Sequence, residues 1–374
     1  MPSFQPPHVL LLGPGPSPVP QRVLEALARP TIGHLDPRFV GMMEETKSFL
    51  RDAMQTSNPM TMPISAPGSA GMEAAFVNLV EPGDKVVVCQ NGVFGGRMRE
   101  NVVRIGAEPI MVNDAFGTPI DLEKVEAAMK ANPGVKALAF VHAETSTGVE
   151  SDARSLCRLA TEHGALSIVD AVTSLGGIPV LADEWGADAI YSGSQKCLSA
   201  PPGLSPMTFS DRAVETQKAR KTPVQSWFLD LGLLMGYWEG SGARAYHHTA
   251  PINMLYGLHE ALLMLSEEGL EAAFARHRNN HLRFKRGLES IDLSLLVAEA
   301  SRLPQMNAVV VPEGVSESAV RSRLLEEFSI EIGAGLGELA GKIWRIGLMG
   351  AGSTEANVDR VLEALAICLD RKPA

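Results

Sequence analysis

Residues 165–170 read ALSIVD and residues 189–196 read AIYSGSQK. Both are short apolar runs that end on polar residues, and Ser151–His163 just before the first has apolar residues at helical spacing. The same alternation continues upstream, with strand candidates Lys85–Cys89 (KVVVC) and Val135–His142 (VKALAFVH) and a helical pattern over Ile120–Ala131. Short, nearly all-apolar strands alternating with amphipathic helices predict a mainly parallel sheet covered on both faces. Such α/β sheets bind ligands outside the carboxyl ends of their strands. Chemistry is therefore expected in the polar residues that follow these runs.

With 374 residues the chain has room for one large α/β domain and a smaller one. Asn253 to Ile291 reads as long helix broken near Gly269, leading from a large domain over 1–267 into a small one over 268–374. The small domain is expected to hold strands Met306–Val311 and Ile343–Ile346 and a last helix, Glu355–Leu369. The net charge of −10 argues against nucleic acid or an anionic membrane as partner. The four cysteines lack CxxC spacing and read as inert thiols in a reducing compartment. The apolar run near the N-terminus is too short for a signal-peptide core, and no stretch approaches a membrane span, so cytoplasm is the expected location.

Four segments carry candidate chemistry. Asp170 closes a buried strand, where a carboxylate is costly unless a cation or strong donor meets it. Taken alone it reads equally well as a helix cap or loop residue. Lys196 follows the next strand in a Ser/Gly turn, and a buried amine with a lowered pKa can form an imine with an aldehyde. Alone it is one more surface lysine. Together, at the ends of successive strands, the two can grip opposite sides of one ring.

Ser65–Phe76 (SAPGSAGMEAAF) is a small-residue loop opening into a helix, and Gly68, Ser69 and Ala70 are the candidate phosphate cradle. A loop and helix start without a ligand fits the segment as well. In NGVFG (Asn91–Gly95), Phe94 reads as a core aromatic or as a stacking platform for a planar cofactor. Metal and hydrolase readings fare poorly. His247 and His248 are adjacent and diverge, His277 and His281 read as a solvated helix face, and no GxSxG or HExxH occurs.

Several blocks in one order complete the picture: LLGPGP (11–16), GHLDPRF (33–39), NGVFG, HAETSTGV (142–149), VDAVTSLGG (169–177), YSGSQKCLSAPPG (191–203), YHHT (246–249) and WRIGLMG (344–350). In these the chain resembles the class V, fold-type I aminotransferases, and within them the alanine–glyoxylate and serine–pyruvate/glyoxylate group. The resemblance implies an α/β PLP-transferase fold: a large domain with a mainly parallel seven-stranded sheet and a smaller C-terminal α/β domain. It implies pyridoxal 5'-phosphate (PLP) as cofactor, held as a Schiff base by Lys196, with Asp170 against the pyridine nitrogen. Val172 would pack beneath the ring, Thr145 would lie near its phenolic oxygen, and Gly68, Ser69 and Gln195 would bind its phosphate. Tyr246 and Thr249 of the partner subunit would reach the same phosphate, so a homodimer with shared sites is implied. Arg345 would hold the substrate carboxylate and Gly13 would line the substrate pocket.

The implied activity is ping-pong transamination from a small amino acid, alanine or serine, to a small 2-oxo acid, glyoxylate or pyruvate. Transaminases of ureidoglycine, aminoethylphosphonate and pyridoxamine are alternatives in the same group. A cysteine desulfurase needs a nucleophilic cysteine on a loop well after the lysine. Here Cys197 adjoins Lys196 and the next cysteine is Cys368, in a helical pattern. A binding protein on the same fold is the reading from another class, and Lys196, Asp170 and Arg345 all stand against it. Two positions depart from the group. Phe94 stands where Trp is frequent, and the 67–70 loop lacks a histidine that some relatives carry.

Overall fold

The computed structural model describes residues 3–238 and 244–371. Its large sheet has seven strands: β1 (Thr61–Ile64), β2 (Lys85–Gln90), β3 (Glu108–Asn113), β4 (Ala137–Val141), β5 (Leu166–Asp170), β6 (Ala189–Tyr191) and β7 (Ser205–Phe209). Their order across the sheet is β1-β7-β6-β5-β4-β2-β3. Only β7 runs against its neighbours; all the other pairings are parallel. This is the mainly parallel seven-stranded sheet that the resemblance implies. Every residue of β4 and β5 is buried, as expected of strands with helices on both faces.

The covering helices start where short polar side chains satisfy the first free N–H groups. Asp121 accepts from Glu123 and Lys124 at the head of Leu122–Ala131, and Asp152 accepts from Ser155 at the head of Ala153–Glu162. Gly269, at φ +83°, separates the helices Ile252–Glu268 and Leu270–Ser290, a backbone state that glycine adopts without strain.

Two main apolar cores result. The larger runs from Val23 to Ala273 and includes both faces of the seven-stranded sheet. The smaller gathers Phe284, Leu288, Trp344, Ile346 and Leu365 around a three-stranded sheet whose central strand is Ile343–Gly347. Leu12 also packs in this second core, because Leu10–Leu11 pairs in parallel with Ile330–Glu331. The N-terminal segment therefore lies against the C-terminal core before the chain enters the large sheet.

Two expectations are corrected. His247 and His248 do not diverge; their Nδ1 atoms share a hydrogen bond at 2.8 Å. His277 and His281 do not form a solvated face; both are buried. His277 bonds the Ala273 carbonyl through Nδ1 and accepts from the Gly350 N–H at Nε2, and His281 bonds Asn307. Burial holds both imidazoles below their usual pKa, His277 at about 4, so they act as neutral struts. Among the described residues no group of three or more His, Cys, Asp or Glu is placed to hold a metal, and no helix is long and apolar enough to cross a membrane.

Candidate active site

A cavity of about 210 Å³ opens at the carboxyl edge of the sheet, lined by Gly68, Ser69, Met72, Phe94, Arg97, Asp170, Val172, Tyr191, Gln195 and Lys196. Seven of the residues singled out from sequence meet there: Gly68, Ser69, Phe94, Asp170, Val172, Gln195 and Lys196.

Asp170 is the last residue of β5 and is buried. One carboxylate oxygen accepts from the Val172 N–H at 2.9 Å, the other from the Tyr191 hydroxyl at 2.8 Å. Tyr191 is its register partner on β6. No lysine or arginine among the described residues forms an ion pair with Asp170, and burial pushes its carboxyl up to about 7 despite those two donors. A cationic N–H facing the cavity would relieve that cost.

Lys196 sits at the end of the turn that follows β6, and its Nζ donates to the Pro14 carbonyl. Burial, helped by the positive charge of Arg345, holds its amine down at about 8. A fraction is thus neutral, and so nucleophilic, near neutral pH. The turn is tied to the N-terminal segment: Ser17 Oγ donates to the Lys196 carbonyl at 2.6 Å and Ser17 N to the Gln195 carbonyl at 2.9 Å. Gly15 makes the close approach possible. Its φ is +108°, and a Cβ there would stand 2.6 Å from the lysine Nζ.

The helix Gly68–Leu79 begins at the cavity wall, and Pro67 before it supplies no side-chain cap. The Ala70 N–H is taken by the Pro67 carbonyl, so Ala70 itself does not line the cavity. The first N–H groups, from Gly68 and Ser69, form the positive end of the helix, where an anion is favoured. A Cβ on Gly68 would press on the Ser192 carbonyl at 3.3 Å and Val172 at 3.4 Å. Gln195 carries a buried side-chain oxygen without a partner.

The remaining predicted residues lie outside this lining. Thr145 is buried behind it, accepting from the Thr173 hydroxyl at 3.1 Å. Its carbonyl accepts from Arg345 Nη1 at 3.4 Å, and Arg345 Nε donates to the Ala334 carbonyl at 2.6 Å. Arg345 is buried on Ile343–Gly347, has no carboxylate partner among the described residues, and burial holds its guanidinium down at about 10. Gly13 packs against that strand, since Gly347 donates to the Leu12 carbonyl and leaves no room for a Cβ beside the Gly13 carbonyl. Tyr246 and Thr249 bond each other at 3.4 Å and do not line their own chain's cavity; Tyr246 is 66% exposed.

Four residues at or beside the cavity were not found from sequence. Tyr191 was read only as part of a strand, although aligning the ends of ALSIVD and AIYS would have set it opposite Asp170. Met72 and Arg97 lie within the helices Gly68–Leu79 and Val93–Ile105, whose patterns give no local sign of a site. Arg97 lies over the Phe94 ring, 4.6 Å from its centroid. Glu144 is wholly buried just behind Phe94.

The donor set fits PLP: a buried acid lacking a cation, a buried amine of lowered pKa, an uncapped helix start and an aromatic wall. The sequence profile described as Aminotransferase class-V matches residues 9–361. The chain is 41% identical to the alanine–glyoxylate aminotransferase of Oryctolagus cuniculus, covering 96% of this chain and 92% of the relative. It is 38% identical to the (S)-ureidoglycine–glyoxylate transaminase of Bacillus subtilis, covering 97% and 91%. The crystal structure of an alanine–glyoxylate aminotransferase from Nostoc sp. superposes with a TM-score of 0.96 at 46% identity, covering 99% of this chain and 97% of that one. With its cavity at the sheet edge and this likeness along nearly its whole length, the chain belongs to the class V aminotransferases and is a PLP-dependent enzyme.

Proposed function

We propose that this enzyme moves an amino group from a small amino acid, alanine or serine, to a small 2-oxo acid, glyoxylate or pyruvate, in two half-reactions. The observation that carries the reading is the pairing of a counter-ion-free Asp170 with a lowered-pKa Lys196 across one cavity. The similar alanine–glyoxylate and ureidoglycine–glyoxylate enzymes support glyoxylate as the acceptor.

When bound, PLP supplies an aldehyde carbon that takes up the amino group and a protonated ring that withdraws electrons from the substrate. Asp170 would hold the proton at the ring nitrogen, with its carboxylate fixed by the Val172 N–H and the Tyr191 OH. Lys196 would hold the cofactor through its amine, and the same amine, neutral in part near pH 7, would serve as the base and acid that moves the substrate Cα proton. Gly68, Ser69 and Gln195 would bind its phosphate, Val172 and Phe94 would pack against its ring, and Thr145 would support the site from behind the lining. Arg345 meets the substrate carboxylate as a two-pronged donor, with Gly13 beside it.

The active unit we infer is a homodimer in which the partner subunit's Tyr246 and the partner subunit's Thr249 complete the phosphate site. Supporting this, the pair is exposed and stands away from its own cavity. A half-reaction screen tests the substrate class. Holoenzyme is mixed with alanine, serine or glycine in turn, and loss of the visible cofactor band is followed. Conversion by alanine or serine supports the reading, and failure of all three removes it. Conversion by ureidoglycine alone would select the second reading, which the Bacillus subtilis relative favours.

A further inference from the structure

We propose that Glu144 is a positioning residue that holds the Phe94 ring over the cofactor cavity by capping the helix on which Phe94 sits. Glu144 lies in the small hairpin formed by Ala143–Glu144 and Val149–Glu150, and its side chain is completely buried. It makes no ion pair with a lysine or arginine among the described residues. Its carboxylate instead accepts three hydrogen bonds. Oε1 takes the Ser146 N–H at 2.9 Å and the Ser146 hydroxyl at 2.6 Å, and Oε2 takes the Phe94 N–H at 3.2 Å. Ser146 Oγ in turn accepts from the Val93 N–H at 3.0 Å.

Val93 and Phe94 are the first two residues of the helix Val93–Ile105, and Gly92 before them offers no side-chain cap. The first two of the free N–H groups at this helix start are therefore satisfied by one Glu–Ser unit from a distant hairpin. Caps are ordinarily supplied by the residue next to the helix. Here the carboxylate lies 50 positions away. A negative charge at this end is favoured by the helix dipole, but burying a carboxylate is costly. What the distant carboxylate adds is a fixed distance between the hairpin and the backbone of Phe94.

The glycines of NGVFG follow from the same contact. A Cβ on Gly92 would collide with Cγ and Cδ of Glu144, and one on Gly95 would stand 2.5 Å from the Cys89 carbonyl at the end of β2. Phe94 is thus pinned between two close approaches, and its ring is aimed by backbone contacts. Burial raises the pKa of Glu144. Three donors and the nearby charge of Arg345 oppose that rise without cancelling it.

The inference rests on Phe94 as the stacking residue, so its test separates the two. Wild type, Glu144→Gln, Phe94→Ala and the double variant are prepared as full chains and stripped of cofactor. Each is titrated with PLP, and apo melting temperature and visible circular dichroism of the loaded protein are recorded. Gln keeps the size of the side chain but turns one acceptor into a donor facing an N–H. We expect Glu144→Gln to weaken PLP binding roughly tenfold, to change the dichroism of the bound cofactor, and to add little once Phe94 is Ala. If Glu144→Gln does not fold, Ser146→Ala is put through the same cycle. Unchanged PLP affinity in Glu144→Gln beside a weakened Phe94→Ala would overturn the inference alone. So would full additivity in the double variant, or a rise in substrate KM with PLP affinity intact. Unchanged affinity in Phe94→Ala would overturn the stacking role and the inference with it.

Discussion

Two aspartates on neighbouring strands are equally buried, each 3% exposed, yet the chain treats them in opposite ways. Asp188, just before the start of β6, is surrounded. Arg212 meets it with Nε at 2.8 Å and with Nη2, and the Ser167 N–H and Ser210 hydroxyl donate at 2.9 Å. Asp170, at the opposite end of β5, has one hydroxyl, one N–H and, among the described residues, no cation. Burial alone therefore does not mark a site; between these two aspartates, what differs is the missing counter-ion. The first carboxylate ties a strand to a helix, and the second is the one we propose meets the cofactor.

That contrast can be broken by substitution. Asp170→Asn removes the acid that keeps the ring proton in place, and should cut kcat/KM about 10³-fold. Its apo form should be at least as stable as wild type near neutral pH, because an uncompensated charge is gone. Arg212→Ala should do the reverse. Leaving Asp188 buried without its cation should cost about 2–3 kcal/mol in denaturant unfolding, discounted because the guanidinium is partly exposed. Its kcat in the folded fraction should be nearly unchanged. If both variants lost stability alike, the distinction between the two carboxylates would fall. Arg345→Lys keeps the charge and loses the fork, so kcat/KM for alanine should drop about 10–100-fold.

The pH dependence of apo stability sharpens the same contrast. Asp170 has a folded pKa of about 7, above its ordinary value of 3.8, so the folded state binds the extra proton. The stability it contributes is present below about pH 4 and is lost as pH rises toward 7. Apo wild type should therefore lose about 1–2 kcal/mol relative to apo Asp170→Asn between pH 5 and 7. Loading PLP should flatten the difference, since a ring cation then meets the carboxylate. A flat difference in the apo protein would contradict the account of Asp170.

Much of this was legible in the chain itself. Strands β2, β4, β5 and β6 fall within two residues of their apolar runs, because strands buried on both faces must be apolar throughout. The three large-sheet strands without a sequence signal, β1, β3 and β7, each contain a proline: Pro63, Pro109 and Pro206. β1 and β3 are the sheet edges, where a missing N–H is tolerated, and Pro206 of β7 faces Pro63 across the ladder. Sequence cannot report such pairing in advance. For the site, Asp170 and Lys196 were readable because strand ends concentrate chemistry. Glu144 and Arg97 were not, since their meaning lies in contacts with Phe94 that only the folded chain makes.

The most direct test of the central claim is to trap the bond between protein and cofactor. Holoenzyme is reduced with borohydride, digested, and mapped by mass spectrometry, with Lys196→Ala treated in parallel. The account predicts that the phosphopyridoxyl mass sits on Lys196 and is missing from the variant. The same label on another lysine of the native enzyme would contradict it.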